Sequence, residues 1–192
     1  MKSNPLLVYL AALLCALAIS LSPTAVVAQE APGLVLPEPM DGYETEHIGN
    51  VTWTYPASER GRVAPLIESL DDHWRQVVND FGVIIDDALV IRVARNPREM
   101  RALAPVDAPP PNYATGVAYS RWGVILLTIS SPDSWEPPDL DVVLFHELSH
   151  VALHRAVDGN DFPRCFNEGV AINKSEARML PRMESLLLAA AQ

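Results

Sequence analysis

The stretch that decides the fold is Asp141–Leu153, which reads DVVLFHELSHVAL. Placed on a helix, it has apolar side chains on nearly every face, so we expect a buried helix. Asp139 or Asp141 is suited to cap its start, and Gly159 is suited to end it. Titratable groups inside such a helix are costly unless partners or a metal ion satisfy them. After the first residue these groups are His146, Glu147 and His150.

The spacing of His146 and His150 suits joint binding of one metal ion. Residues four apart lie on the same face of a helix, so both imidazoles can reach one ion at about 2.1 Å. Glu147 projects beside them, where it can hold a water molecule activated by the metal and accept its proton. The HExxH pattern therefore predicts a zinc site, with Zn2+ as the cofactor and Glu147 as the general base.

A catalytic zinc needs a third protein ligand, and three downstream residues compete for that role. His154 continues the row of His146 and His150, but it lies about 12 Å from the first histidine along a straight helix, which is too far. Asp158 is better placed to cap the helix end. Glu168 lies on the next predicted helix, whose antiparallel return would bring its carboxylate to the metal. Glu168 is therefore the preferred ligand, with an ordinary surface glutamate as the alternative.

The segment after the zinc helix carries a second motif, Pro163-Arg164-Cys165-Phe166-Asn167-Glu168-Gly169-Val170-Ala171. With HELSH it resembles the HExxH…P-x-W-x-x-E-G-x-A signature of peptidase MA-like proteins, which are gluzincin zinc metallopeptidases. The resemblance in element order covers roughly His47–Arg178. It implies a zincin-like fold, in which a small mixed sheet packs on the zinc helix and a ligand-bearing helix follows. It also implies that Glu168 is the third zinc ligand, and that the strand Gly123–Ile129 lies along the cleft, where an extended peptide can add to it.

Three positions depart from the family pattern. Cys165 stands where the family usually has tryptophan, which affects packing beside the zinc. Asn173 stands where an aromatic residue is common. Ile172 occupies the position of the acid that thermolysin-type relatives place four residues after the ligand.

Peptidases of this type also need a hydrogen-bond donor for the tetrahedral oxyanion, commonly Tyr, His or Arg. After Glu168 the candidates are Arg178 and Arg182, so either the chain is part of a longer protein or the donor comes from upstream. Tyr113 and Tyr119 are the upstream candidates. The motifs together predict a zinc-dependent metallopeptidase that acts on a peptide or protein substrate. The alternative is a catalytically impaired, zinc-binding envelope module that binds peptides, and hydrolysis of a non-peptide amide is a third interpretation.

The N-terminus predicts export. Pro5–Leu21 is almost wholly apolar, and cleavage near Ala28 would remove residues 1–28 as a signal peptide. Residues 29–45 are rich in Pro and Ala and predict a linker, and residues 46–192 predict one domain. We therefore expect a secreted, periplasmic or cell-envelope protein, attached to a membrane only if the apolar segment stays uncleaved.

The overall charge of the chain bears on whether its partner could be a nucleic acid. The chain has 14 basic and 24 acidic side chains, for a net charge of −10, which argues against nucleic acid as a partner. Cys165 is the one cysteine that would remain after signal cleavage, so we expect no intramolecular disulfide. The sequence leaves the oligomeric state and the substrate open.

The remaining patterns predict an α+β domain with a small sheet on the zinc helix. Residue type and hydrophobic period separate its strands from its helices. The strands are predicted at His47–Tyr55, Ala88–Ala94, Gly116–Ser120 and Val124–Ile129. The helices are predicted at Ser58–Phe81, from Pro97, through the HELSH segment as far as Gly159, and at Arg164–Met179.

Overall fold

A computed structural model describes residues 34–83, 88–131, 136–160 and 163–175. The predicted signal peptide lies outside the described residues, as do Arg178 and Arg182. Within the described ranges, no helix is long and apolar enough to cross a bilayer.

The described chain combines one sheet with several helices, which confirms the predicted α+β class. The strands are β1 (Tyr43–Ile48), β2 (Val51–Pro56), β3 (Leu89–Ala94), β4 (Gly116–Tyr119) and β5 (Val124–Thr128). The helices are α1 (Arg60–Phe81), α2 (Pro97–Leu103), α3 (Leu140–Ala156) and α4, described over residues 164–175. Short 3-10 turns at Ala57–Glu59 and Ser120–Trp122 lead into α1 and β5.

The strands form one mixed sheet in the order β1-β2-β3-β5-β4. The inner pairs β2/β3 and β3/β5 are parallel, whereas the outer pairs β1/β2 and β4/β5 are antiparallel. β5 is therefore an interior strand, and the prediction that Gly123–Ile129 lies along the cleft was wrong. All five β5 residues are buried, as a strand covered on both faces requires. The half-buried β4 takes the edge instead.

The core lies on both faces of the sheet. On one face, Ile125 and Leu127 of β5 belong to a cluster that includes Phe145 and Leu148 of α3. On the other face, the alternate β5 residues pack with Met100 and Leu103 of α2. This alternation follows from the two-residue period of a strand. The contacts on the first face pack α3 against the middle of the sheet.

The first predicted strand, His47–Tyr55, is a hairpin rather than one strand. β1 and β2 pair from Tyr43↔Pro56 to Ile48↔Val51. The chain reverses at Gly49, whose φ of +57° is readily adopted by glycine. β1 also begins inside the stretch predicted as a linker, and residues 34–40 reach the second face of the sheet. Leu34, Leu36 and Met40 pack there against the buried cluster around α2.

The ends of α1 and α3 lie within three residues of the predicted ends. Ser58, the predicted start, lies in a 3-10 turn, so α1 begins at Arg60, and it ends at Phe81 as predicted, just before Gly82 with φ +65°. The side chain of Asp139 accepts hydrogen bonds from two backbone N–H groups in the first turn of α3, which confirms it as the cap. α3 ends at Ala156, earlier than predicted, and Gly159 donates its N–H to the carbonyl of His154 beyond that end.

Candidate metal centre

The four residues predicted for the site come together between α3 and α4. Ligand atoms of His146, His150 and Glu168 all lie within 4.8 Å of one another. The Nε2 atoms of the two histidines are 3.1 Å apart. Oε2 of Glu168 lies 3.7 Å from Nε2 of His146 and 3.8 Å from Nε2 of His150. Glu168 lies on the helix that follows α3, as predicted, and that helix places its carboxylate beside the two histidines.

These separations fit a tetrahedral metal ion. Ligand arms of about 2.1 Å at tetrahedral angles place two ligand atoms about 3.4 Å apart, and the three observed distances bracket that value. Two imidazoles and one carboxylate are a donor set that zinc favours, and three protein ligands leave one position open. The residues present therefore fit zinc.

The orientation of both rings also favours a cation at their Nε2 atoms. Nδ1 of His150 lies 2.8 Å from Oδ1 of Asn167, an acceptor, so Nδ1 carries the proton. The ring of His146 donates to the backbone carbonyl of Ala171. With the proton of His150 on Nδ1, its Nε2 presents a lone pair toward Nε2 of His146, 3.1 Å away, where a cation would be stabilised.

The environment of His146 keeps its imidazole available as a ligand. Burial lowers the pKa of His146, and the neighbouring His150 lowers it further. The carboxylate of Glu168 and the carbonyl of Ala171 oppose that shift. A metal ligand must be the neutral imidazole, and the lowered pKa favours that form at neutral pH.

Glu147 lies beside the ligands, pressed against the edge strand. It is 6% exposed, and a Cβ atom added to Gly116 would lie 2.6 Å from its Oε1. Burial, followed by the charge of Glu168, raises the pKa of Glu147 to about 8, although the N–H of Ala118 favours its ionised form. A carboxyl group with this affinity for a proton is suited to accept one from water.

The site opens onto a cleft of about 550 Å³ between β4 and the two helices. Gly116, Val117 and Ala118 of β4 line one side, and the ligands line the other. Tyr113, 66% exposed, and Arg164 also line it. The cleft thus joins a strand edge, the ligand cluster and two potential donors of hydrogen bonds.

Other candidates from the sequence lie elsewhere. His154 is not part of the ligand cluster among the described residues, as predicted from its spacing. Asp158 lies just beyond the end of α3, with φ +54°, and donates its N–H to the carbonyl of Arg155. The hydroxyl of Tyr119 donates to the carbonyl of Ala108, 2.5 Å away. Cys165 is exposed with a free thiol.

Three residues of the site were not identified from the sequence. Asn167 orients a ligand, Gly116 makes room for Glu147, and Arg164 adds the positive charge of the cleft. A glycine inside a predicted strand signals close approach of another group, so Gly116 offered a signal. The roles of Asn167 and Arg164 depend on where α4 packs, and local sequence does not fix that.

The chain matches none of the family models, curated proteins or solved structures with which it was compared.

Proposed function

We propose that this protein is a zinc-dependent metallopeptidase of the gluzincin type with a zincin-like fold. The observation that carries the proposal is the convergence of three ligand atoms within 4.8 Å, next to a buried carboxyl group and an edge strand. His146, His150 and Glu168 would hold the ion. Bound there, zinc would lower the pKa of a water molecule and polarise the substrate carbonyl.

Glu147 is the proposed general base. Its carboxyl group accepts the proton of the attacking water and delivers it to the leaving amine. Gly116 and the Ala118 N–H hold the carboxyl group on the side of the cleft where β4 ends the sheet. With zinc bound, the nearby cation would favour the ionised carboxylate, which is the form that can take the proton.

The outer edge of β4 supports a peptide substrate. The carbonyl of Thr115 accepts a hydrogen bond from Thr128 next to β5, so it points inward. Because backbone groups alternate along a strand, Gly116 points its N–H and carbonyl toward the cleft, as Ala118 does its carbonyl, while the N–H of Ala118 meets Glu147. An extended peptide can pair with those groups by strand addition, beside the ligands. We therefore propose β4, and not the strand predicted at Gly123–Ile129, as the strand that a peptide would pair with.

Tyr113 is the best-placed donor for the oxyanion among the described candidates. It is exposed in the cleft, whereas the hydroxyl of Tyr119 is engaged with Ala108. A phenol at the cleft can donate to the oxygen that becomes charged as the water attacks. We further propose that the protein acts outside the cytoplasm, which the signal-like residues 1–28 support.

The test combines metal analysis with hydrolysis of a peptide library. The zinc-loaded protein is expected to contain about one zinc per chain, and Glu147→Gln should retain the metal and lose hydrolysis. Glu68→Gln, an exposed position on α1, is the matched control and should keep both. His146→Ala should lose zinc, whereas His154→Ala should keep it. Zinc without hydrolysis of any peptide would instead favour the peptide-binding module.

A further inference from the structure

The cleft contains acidic groups with a proposed role and a basic group without one. Its acidic groups, Glu147 and Glu168, have roles in the proposed chemistry. Arg164 is the single Lys or Arg among the described residues that line the cleft. The chain as a whole carries a net charge of −10. A permanently charged arginine in the cleft is therefore a local exception, and the proposed chemistry gives it no role.

The guanidinium of Arg164 is available to a ligand. Its Nε lies 3.9 Å from Oε1 of Glu168, beyond hydrogen-bond distance, and its side chain is 82% exposed. Exposed ion pairs of this kind contribute little. Glu168 directs its other oxygen, Oε2, at the two histidines. Within the described part of the chain, no hydrogen bond holds the terminal nitrogens of Arg164.

Metal binding would increase the preference of the cleft for anions. With both carboxylates ionised, two acidic groups, one arginine and a divalent ion would give the metal-loaded cleft a net charge of about +1. The same ion would draw the charge of Glu168 away from Arg164. The loaded cleft would therefore be positive on a chain whose net charge is −10.

We propose that Arg164 recognises a carboxylate of the substrate near the scissile bond, which makes the preferred substrates peptides with a free C-terminus or an acidic side chain there. This inference rests on the function proposed above. The planar fork of arginine matches a carboxylate through two parallel hydrogen bonds. Arg164 also begins α4, where the helix dipole disfavours a cation and favours the anion that it would bind.

The test measures binding to the zinc-loaded Glu147→Gln protein, which should not turn the probes over. The probes are four pools of fluorescein-labelled tetrapeptides. The acid pool has a free C-terminal carboxylate, and the amide pool has the same sequences with an amidated C-terminus. The Glu pool and the Gln pool are amidated and end in Glu and Gln, respectively. Anisotropy should show about tenfold tighter binding of a carboxylate-bearing pool than of its neutral partner. The preference should shrink with added salt, since the site is exposed.

Arg164→Met keeps the aliphatic stem and should reduce the preference to about one, while Arg164→Lys should restore part of it. Arg98→Met, at an exposed position on α2, is the control and should leave the preference unchanged. Comparison of the acid pool with the Glu pool identifies the source of the carboxylate. Equal affinity for charged and neutral pools, a preference that survives Arg164→Met, or no binding of any pool overturns the proposal.

Hydrolysis by the protein with Glu147 intact separates this inference from the proposed function. If the protein cleaves a carboxylate-bearing pool and its neutral partner equally, the peptidase assignment stands and the role of Arg164 is lost. If it cleaves neither, but binds the carboxylate-bearing pools more tightly through Arg164, the recognition stands and the peptidase assignment fails.

Discussion

Nδ1 of His150 lies 2.8 Å from Oδ1 of Asn167, the residue directly before Glu168. This contact joins the helix that carries two ligands to the helix that carries the third. It fixes both the proton position and the plane of the His150 ring, so Nε2 presents its lone pair to the ion position. α4 therefore contributes an orienting group as well as a ligand.

Asn167→Ala is expected to lower the zinc affinity by about 10- to 100-fold, the usual effect of removing such a partner. Competition with a chromophoric zinc chelator measures the change. Asn173→Ala, on an exposed part of the same helix, should leave the affinity unaltered. Equal zinc affinity in the two variants would show that the hydrogen bond does not position the ligand.

Gly116→Ala is expected to reduce hydrolysis by about 10- to 100-fold, because small displacements of a reacting group have effects of this size. The new Cβ would lie 2.6 Å from Oε1 of Glu147 and 2.6 Å from Cγ1 of Val143. Glu147 must then move away from β4. Zinc content, measured by atomic absorption, should be retained because the three atoms nearest the new Cβ belong to Glu147 and Val143, not to a proposed ligand.

The control for this variant is Gly61→Ala. Gly61 lies in α1 with nothing within 4 Å of an added Cβ. Alanine there should raise the free energy of unfolding by about 0.5–1 kcal/mol and leave hydrolysis unaltered. If Gly116→Ala retained full activity, the close approach to Glu147 would have no bearing on the reaction.

The parts of the site that could be predicted from the sequence are those set by local geometry. His146 and His150 share a face because a helix repeats every 3.6 residues, and Glu168 followed from a second motif. The edge position of β4 could not be predicted in this way, because strand order depends on tertiary packing. The β1–β2 hairpin was missed because the turn signal at Gly49 lies inside a run rich in β-branched residues.

Tyr113→Phe is expected to lower kcat by about tenfold or more with little change in KM, since an oxyanion donor acts mainly in the transition state. Tyr119→Phe provides the matched control. It removes the hydroxyl that donates to Ala108 and should lower the unfolding free energy by about 1 kcal/mol with kcat unaffected. Steady-state kinetics and urea denaturation test the pair together. Unaltered kcat in Tyr113→Phe would assign the donor role to another group.

Glu147→Gln is expected to stabilise the metal-free protein increasingly as the pH rises. The pKa of Glu147 is raised from 4.5 in the unfolded chain to about 8 by burial. The folded state therefore binds this proton more tightly, so the contribution of Glu147 to stability is fully present below pH 4.5 and is lost as the pH rises toward 8. Gln cannot ionise and avoids that loss.

At pH 7 the variant should be more stable than the parent by about 3 kcal/mol, and the two should converge below about pH 4.5. Urea denaturation in the presence of EDTA at several pH values measures this difference in unfolding free energy. Groups common to both proteins titrate in both, so their contributions cancel in the difference. Adding zinc should reduce the difference, because a nearby cation favours the ionised carboxylate. A gap between the two proteins that did not change with pH would mean that Glu147 ionises as readily in the folded chain as in the unfolded one.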